Sequence, residues 1–239
     1  FLLSQGVCAA LSEIIVSTNR EHLQQYAEFL IPAVREALSD REMTVREAAA
    51  VTFAHLHTAL GSQAVDEILP VMLSELETSE DSSTILDGLR QLMSTKSAVV
   101  LPFLVPRLSQ LPMSTFNARA LALLASVAGD NLNQYALGIL SAYMDAMMDA
   151  ENEDQQKELL EAAKMFLLAV GQEGLEELVP ALITELDHDT VQRRRMAASL
   201  LNDFCTRTPT DLAPHAITLL RGLLGAFVDP DSEVFFVLV

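Results

Sequence analysis

Two stretches of this chain align without a gap: LIPAVREALSDREMTVREAAAVTFAHL at residues 30–56 and LVPALITELDHDTVQRRRMAASLLNDF at residues 178–204. Each reads as helix, short acidic turn, helix. Similar segments return about every 35 to 40 residues, a recurrence that marks a solenoid of helical hairpins. Such a chain has no single core. Each unit packs on its neighbours, and the array grows by adding units. The pattern predicts an all-α, armadillo-like α-α superhelix, a right-handed solenoid without strands. Arrays of this kind present long surfaces to other macromolecules and seldom house catalysis.

The division predicted from the pattern treats residues 1–239 as one solenoid fragment. It has a half repeat at 1–18, repeats at 21–60, 63–95, 98–128, 131–170 and 172–206, and a partial repeat at 210–239. The chain opens inside an amphipathic pattern and stops soon after another helix begins, so it reads as a piece of a longer protein. Gly61, Gly129 and Gly171 each follow the last apolar residue of a second helix, where a left-handed residue ends a helix at no steric cost. Asp40, Asp187 and Asp229 close first helices and supply acceptors to the next helix start. Pro32, Pro70, Pro106 and Pro180 share one position in the first helices, with Ser141 and Arg221 in the same place elsewhere. Their intervals are 38, 36, 35, 39 and 41 residues. An internal proline removes one backbone hydrogen bond and is expected to kink these helices. Second helices place small residues first (Ala48–Ala50, Ala118, Ala120, Ala162, Ala163, Ala197, Ala198). Larger ones follow one turn on: Phe53, Leu56, Leu123, Leu124, Phe166, Leu167, Leu201 and Phe204. That 3.6-residue stripe is a core face.

Composition excludes several classes. Lys and Arg total 15 against 33 Asp and Glu, a formal charge of −18, and lysine occurs only at 96, 157 and 164. Phosphate backbones are bound by neutralising them with Lys and Arg, so little direct nucleic-acid binding is expected. No apolar run reaches the ~20 residues that span a bilayer, and no signal peptide is present. Cys8 and Cys205 lie far apart on apolar helix faces and read as reduced thiols rather than a disulfide framework. None of the five histidines has a partner four residues on, the spacing that would aim two imidazoles at one metal from a helix face. There is no nucleophile elbow and no phosphate loop. The carboxylates of Glu151–Asp154 and Glu173–Glu177 sit in polar turns or on solvated faces. The expectation is no enzyme, no cofactor, no metal, no membrane and no small-molecule substrate. A DNA-repair glycosylase on a helical frame would need a basic groove that three lysines and twelve arginines spread along the chain do not make.

The only basic cluster is Arg193–Arg195. Arg194 aligns with Arg46 early in a second helix. From there each is expected to cross the turn to Asp187 and Asp40, a charged ladder when repeated down the stack. Arg193 and Arg195 are expected to be exposed. Partner contacts are expected on the ridge of the second helices, with candidates Glu47, Asp87, Arg90, Glu158, Glu161 and Arg195.

The period, the proline in the first helix and the acid-to-arginine turn resemble HEAT repeats over the whole chain. QGVCAALSEII, VREAAAVTFAHLH, DEILPVMLSELE, LDGLRQLMSTKSAVVLPFLVPRL and RALALLASVAGDNL, in this order, resemble the C-terminal half of the general control translational activator family. The terminal SEVFFVLV departs from that pattern and is not expected to continue as a helix. The resemblance implies a very large cytosolic, ribosome-associated HEAT-repeat protein. Its partners would be the ribosome and the starvation-responsive kinase of the initiation factor 2 alpha subunit, which it helps to activate. It also implies that an elongation-factor-like segment precedes this region and that most kinase contacts follow it. No site residue is carried over. The competing reading is a nuclear transport receptor, karyopherin-like, or another HEAT-repeat adaptor, since those too are acidic solenoids.

Overall fold

Leucine- and alanine-rich stripes at helical spacing build an all-α HEAT-repeat solenoid. The structure, a computed structural model, describes residues 5–78 and 82–234, and among these no strand occurs. The helices are α1 (Gln5–Ser17), α2 (Arg20–Gln25), α3 (Ala27–Leu38), α4 (Met43–Leu60), α5 (Ser62–Thr78) and α6 (Ser82–Leu108). They continue as α7 (Thr115–Ala125), α8 (Ala136–Met148), α9 (Glu153–Leu167), α10 (Leu175–Leu186), α11 (Val191–Arg207) and α12 (Ala216–Ala226). Short 3-10 segments at Gly129–Tyr135, Gln172–Gly174 and Ala213–His215 lead into α8, α10 and α12. Of the terminal stretch expected not to continue as a helix, residues 232–234 are helical, and residues 235–239 lie outside the described residues.

The chain divides into two compact units, Phe1–Leu104 and Val105–Val239. In the first unit, second-layer helix α1 packs along α4, while α3 packs on both α4 and α5. In the second unit α7, α9 and α11 form one layer in sequence order, and α8, α10 and α12 the other. The hairpins are α8 with α9 and α10 with α11. Each of α8, α9 and α10 meets its hairpin partner and the equivalent helix of a neighbouring hairpin, which is the nearest-neighbour logic of a solenoid.

Four of the first helices are interrupted with a common register, whereas α5, which carries Pro70, runs unbroken. The expected helix over 21–39 is split at Tyr26 into α2 and α3, and α8, α10 and α12 follow 3-10 turns. Pro32, Ser141, Pro180 and Arg221 are each the sixth residue of the helix that follows the break. The prolines therefore sit inside regular helix, and the change of direction lies one to two turns upstream. A proline ring crowds the carbonyl four residues before it, which favours a break there. Because α8 and α12 break equally without proline, the ring reinforces a bend that the repeat packing already imposes. One expected turn is also tighter than a loop: helices expected at 82–95 and 98–110 run together as α6, broken only by the non-helical Lys96 (φ −144°, ψ 49°).

Two of the three glycine stops use positive φ, Gly61 at 72° and Gly129 at 62°. Gly171 does not, with φ −76°. Its N–H donates to Asn133 Oδ1 at 3.2 Å, one repeat away, and a β-carbon there would stand 3.3 Å from Asp130 Oδ1. Gly88 of α6 serves close approach, since a β-carbon there would overlap the Leu38 carbonyl oxygen.

The core follows the stripe. Leu56, Phe53, Phe166, Leu167 and Leu201 are each 0% exposed. Leu123 is an exception, 40% exposed where a core position was expected, because Leu124 turns inward instead. Cys205 is likewise exposed, whereas Cys8 is buried. Polar links bind successive repeats inside this core. The buried Tyr143 O–H donates to the Ala118 carbonyl at 2.7 Å, and Thr52 Oγ1 donates to the Cys8 carbonyl at 3.1 Å.

Emptying a buried leucine site in a packed interior costs about 2–5 kcal/mol. Leu56→Ala and Leu201→Ala are each expected to lose that much in chemical denaturation. Leu123→Ala, on the outer side of the stripe, is expected to lose about 0.5 kcal/mol or less. Equal losses at all three would mean that the helix faces are wrongly assigned.

Candidate functional site

Helices α4 and α11 start in the same way. Their N-cap residues, Glu42 and Thr190, have φ/ψ of −82°/119° and −82°/120° and make no side-chain cap. Other helices cap themselves conventionally: Asn19, Ser114 and Asn152 each accept from a backbone N–H three residues on. In these two turns an arginine at the fourth helical position ties down carbonyls of the turn instead of capping the free N–H groups. Arg46 Nη1 donates to the Asp40 and Arg41 carbonyls at 2.7 and 2.9 Å. Arg194 Nη1 donates to the His188 and Asp189 carbonyls at 3.0 and 3.2 Å. These are carbonyls the preceding helix and turn leave without helical partners.

The remaining guanidinium donors point to the next repeat. Arg46 Nε and Nη2 reach Asp87 Oδ2 of α6 at 2.7 and 2.6 Å. Arg194 Nε and Nη2 hold both oxygens of Asp229, beyond α12, at 2.7 and 3.1 Å. The carboxylates of Asp40 and Asp187 are therefore not the partners of Arg46 and Arg194. Asp40 is occupied in its own turn, where Oδ1 accepts from the Glu42 N–H at 2.9 Å. The arginine instead clamps its own turn through carbonyls and rivets it to the following hairpin through a carboxylate. Asp229 stands at the turn position that Asp187 occupies one repeat earlier. A planar guanidinium with five donors can do both jobs at once; an ammonium cannot.

The flanking arginines are also committed. Arg193 Nη2 donates to Asp145 of α8 at 2.8 Å, and its Nε lies 3.0 Å from Glu185 Oε2 of α10. Arg195 holds Asp231 through two bonds, at 3.0 and 2.7 Å, and reaches Glu233 at 2.6 Å. The expectation of free, exposed Arg193 and Arg195 is thus corrected. Three guanidinium charges face five carboxylates (Asp145, Glu185, Asp229, Asp231 and Glu233), so the one basic run of the sequence offers no net positive surface. The signal that could have shown this is the spacing: Arg194 and Arg195 find their acids 35 and 36 residues on, one repeat away.

Of the six ridge candidates, Glu47 and Arg90 are exposed and unpaired. Glu158 stands 3.7 Å from Arg119, and Glu161 pairs with Lys164 at 2.9 Å within α9. Asp87 and Arg195 belong to the rivets. Among the described residues no group of three or more His, Cys, Asp or Glu is placed to hold a metal ion, and no helix is long and apolar enough to cross a membrane.

Pairing shifts the ionisation of the second rivet. The hydrogen bond from Arg194 holds the Asp229 carboxyl below the usual aspartate range, helped by the Asp231 N–H. The hydrogen bond from Arg195 does the same for Asp231. Within α4, burial lowers the affinity of His57 for a proton, and the charge of Lys96 lowers it further.

A family model described as "Stalled ribosome sensor GCN1-like, HEAT repeats" matches residues 100–236. The proteins called Stalled ribosome sensor GCN1 in Mus musculus and Homo sapiens are each 41% identical to this chain over 231 residues. The match covers 96% of this chain and 8% of theirs. The eIF-2-alpha kinase activator GCN1 of Saccharomyces cerevisiae is 35% identical over 232 residues, covering 96% and 9%. The chain thus spans less than a tenth of the length of these relatives. Among solved structures, a chain of the Pds5–Scc1 complex aligns with 98% of this chain and 47% of its own length, at 13% identity and a TM-score of 0.40.

Because their folded values are lowered, Asp229 and Asp231 contribute stability that is complete above the ordinary aspartate value and is lost as pH falls through the lowered one. A carboxyl NMR titration is expected to place both midpoints below that ordinary value, and Arg194→Ala is expected to raise that of Asp229. Arg194→Ala is also expected to lower the thermal midpoint more than Arg195→Ala. Arg194 and Asp229 are 11% and 7% exposed against 38% for Arg195, and solvated ion pairs contribute little. A larger loss for Arg195→Ala would remove the clamp from its assigned role.

Proposed function

The chain belongs to the family of stalled-ribosome-sensor GCN1-like HEAT-repeat proteins, and on that premise we propose that it is a non-catalytic scaffold segment of a ribosome-associated translational activator. The parent protein promotes activation of the kinase of the initiation factor 2 alpha subunit in the response to amino-acid starvation, in the cytosol. The match along 96% of the chain to proteins bearing the names stalled ribosome sensor and eIF-2-alpha kinase activator carries this reading. Residues 1–239 serve in it as one run of hairpins, with repeats at 21–60, 63–95, 98–128, 131–170 and 172–206. The parent's partners are the kinase and the ribosome, and any RNA contact of the whole protein lies outside this segment.

Charge supports the last point. The net charge is −18, and the single arginine run is spent on carboxylates of its own chain. Counterion release from nucleic acid needs cations free to face phosphate. A protein-binding role draws on the ridge of the second helices, where Glu47 and Arg90 are exposed and unpaired. Asp87, Glu158, Glu161 and Arg195 shape that ridge through their internal pairs.

The test uses purified residues 1–239 with ribosomes and with RNA across a salt series. No tight RNA binding is expected at physiological salt, and ribosome association is expected only for the longer protein. RNA affinity that is high and falls steeply with salt would expose a basic surface and overturn the reading. In the full-length protein, Glu47→Lys combined with Arg90→Glu is expected to weaken kinase activation while leaving the thermal midpoint of the segment unchanged.

A further inference from the structure

Helices α1 and α4 enclose a cleft of about 390 Å³ near their C-terminal ends, lined by Ile15, Val16, Thr18, Arg20, His55, Thr58 and Ala59. Three features set it apart from the rest of this acidic surface. Its lining holds one fixed cation, one imidazole, two threonines and no carboxylate. Arg20 is exposed and makes no ion pair or side-chain hydrogen bond, unlike Arg46 and Arg193–Arg195. His55 is oriented from behind: its Nδ1 lies 2.5 Å from Oγ of Ser12, a serine only 8% exposed. One wall is aliphatic, formed by Ile15, Val16 and Ala59.

We propose that this cleft binds a carboxylate side chain, together with an adjacent aliphatic one, on an extended segment of a partner protein. The guanidinium presents paired donors that match the two oxygens of a carboxylate. The aliphatic wall takes the neighbouring side chain out of water. A phosphate dianion would call for more positive charge than one arginine brings, so the donor set favours a carboxylate. The chain's overall negative charge opposes an acidic partner only weakly here, because exposed charges beyond about 8 Å are screened at physiological ionic strength. The site lies in the layer of second helices and rests on the reading of this chain as an interaction scaffold, adding to it the chemistry of one contact.

The test titrates the 239-residue chain with acetyl-leucyl-glutamic acid amide while following the side-chain NMR signals of Arg20 and His55. Its glutamine counterpart and inorganic phosphate serve as the other two probes. Saturable shifts are expected with the glutamate peptide, at least tenfold weaker binding for the glutamine peptide, and loss of binding in Arg20→Gln. Arg20→Gln is expected to keep the thermal midpoint, since the side chain is exposed. Equal shifts with both peptides, no shift with either, or phosphate saturating the same signals at lower concentration than the glutamate peptide would each overturn the proposal. None of these outcomes bears on ribosome or kinase association, so failure of the cleft and failure of the scaffold reading remain distinguishable.

Discussion

A single helical hairpin of this length has apolar stripes facing more than one way and too little interior to bury them. Everything else in the structure answers that deficit. Phe53, Leu56, Phe166 and Leu201 are fully buried on helices that pack against their own hairpin and a neighbouring one. The close approaches at Gly88 and Gly171, and the small residues early in the second helices, exist so that hairpins can come near enough to share a core. Polar links then fix the register of that stacking, as Tyr143 does against Ala118 and Thr52 against Cys8. Burial alone would tolerate a slide of one hairpin along another, whereas the buried Tyr143 hydroxyl, with the Ala118 carbonyl as its partner, does not.

The same economy governs charge. The chain carries few cations and places several of them between repeats, and Arg46 and Arg194 each hold a turn together with an acid of the following hairpin. An arginine in the first turn of a helix is unfavourable toward the helix dipole. Two carboxylate contacts and two carbonyls per guanidinium more than answer that at Arg194. The result is a surface with an excess of acidic charge, whose one arginine run is structural, which suits recognition of proteins better than of nucleic acid.

The fold was legible in the sequence because its signals are local or strictly periodic. The 3.6-residue stripe identified Leu56 and Leu201, and the aligned proline and serine positions marked the first helices. Errors arose where the outcome depends on a neighbour that periodicity does not specify. Leu123 and Leu124 are adjacent, and only the contact with the next hairpin decides which turns inward. The carbonyl half of the arginine clamp lies within six residues and was within reach of turn geometry, but its carboxylate half lies 35 or 41 residues away. Ser12 and His55 are separated by 43 residues, and nothing in either helix alone indicates that they meet. Of the ridge candidates, Asp87 and Arg195 could be recognised as structural only once their partners in the next repeat were in place.

The lack of tryptophan and the placement of Tyr143 together make this protein its own optical reporter. The chain has three tyrosines. Tyr26 is 59% exposed at the α2–α3 break, while Tyr143 is fully buried, bonded to the Ala118 carbonyl and 5.7 Å from the Phe166 ring. Transfer of a phenol from an apolar, hydrogen-bonded site to water changes its near-ultraviolet spectrum, whereas a phenol already in water changes little. The third, Tyr135, is half-buried at the entrance to α8, so near-ultraviolet absorbance follows the α7–α8–α9 packing with little contribution from the hairpins around Tyr26. Far-ultraviolet dichroism counts every helix, so a gap between the two melting curves would measure how independently the two compact units come apart.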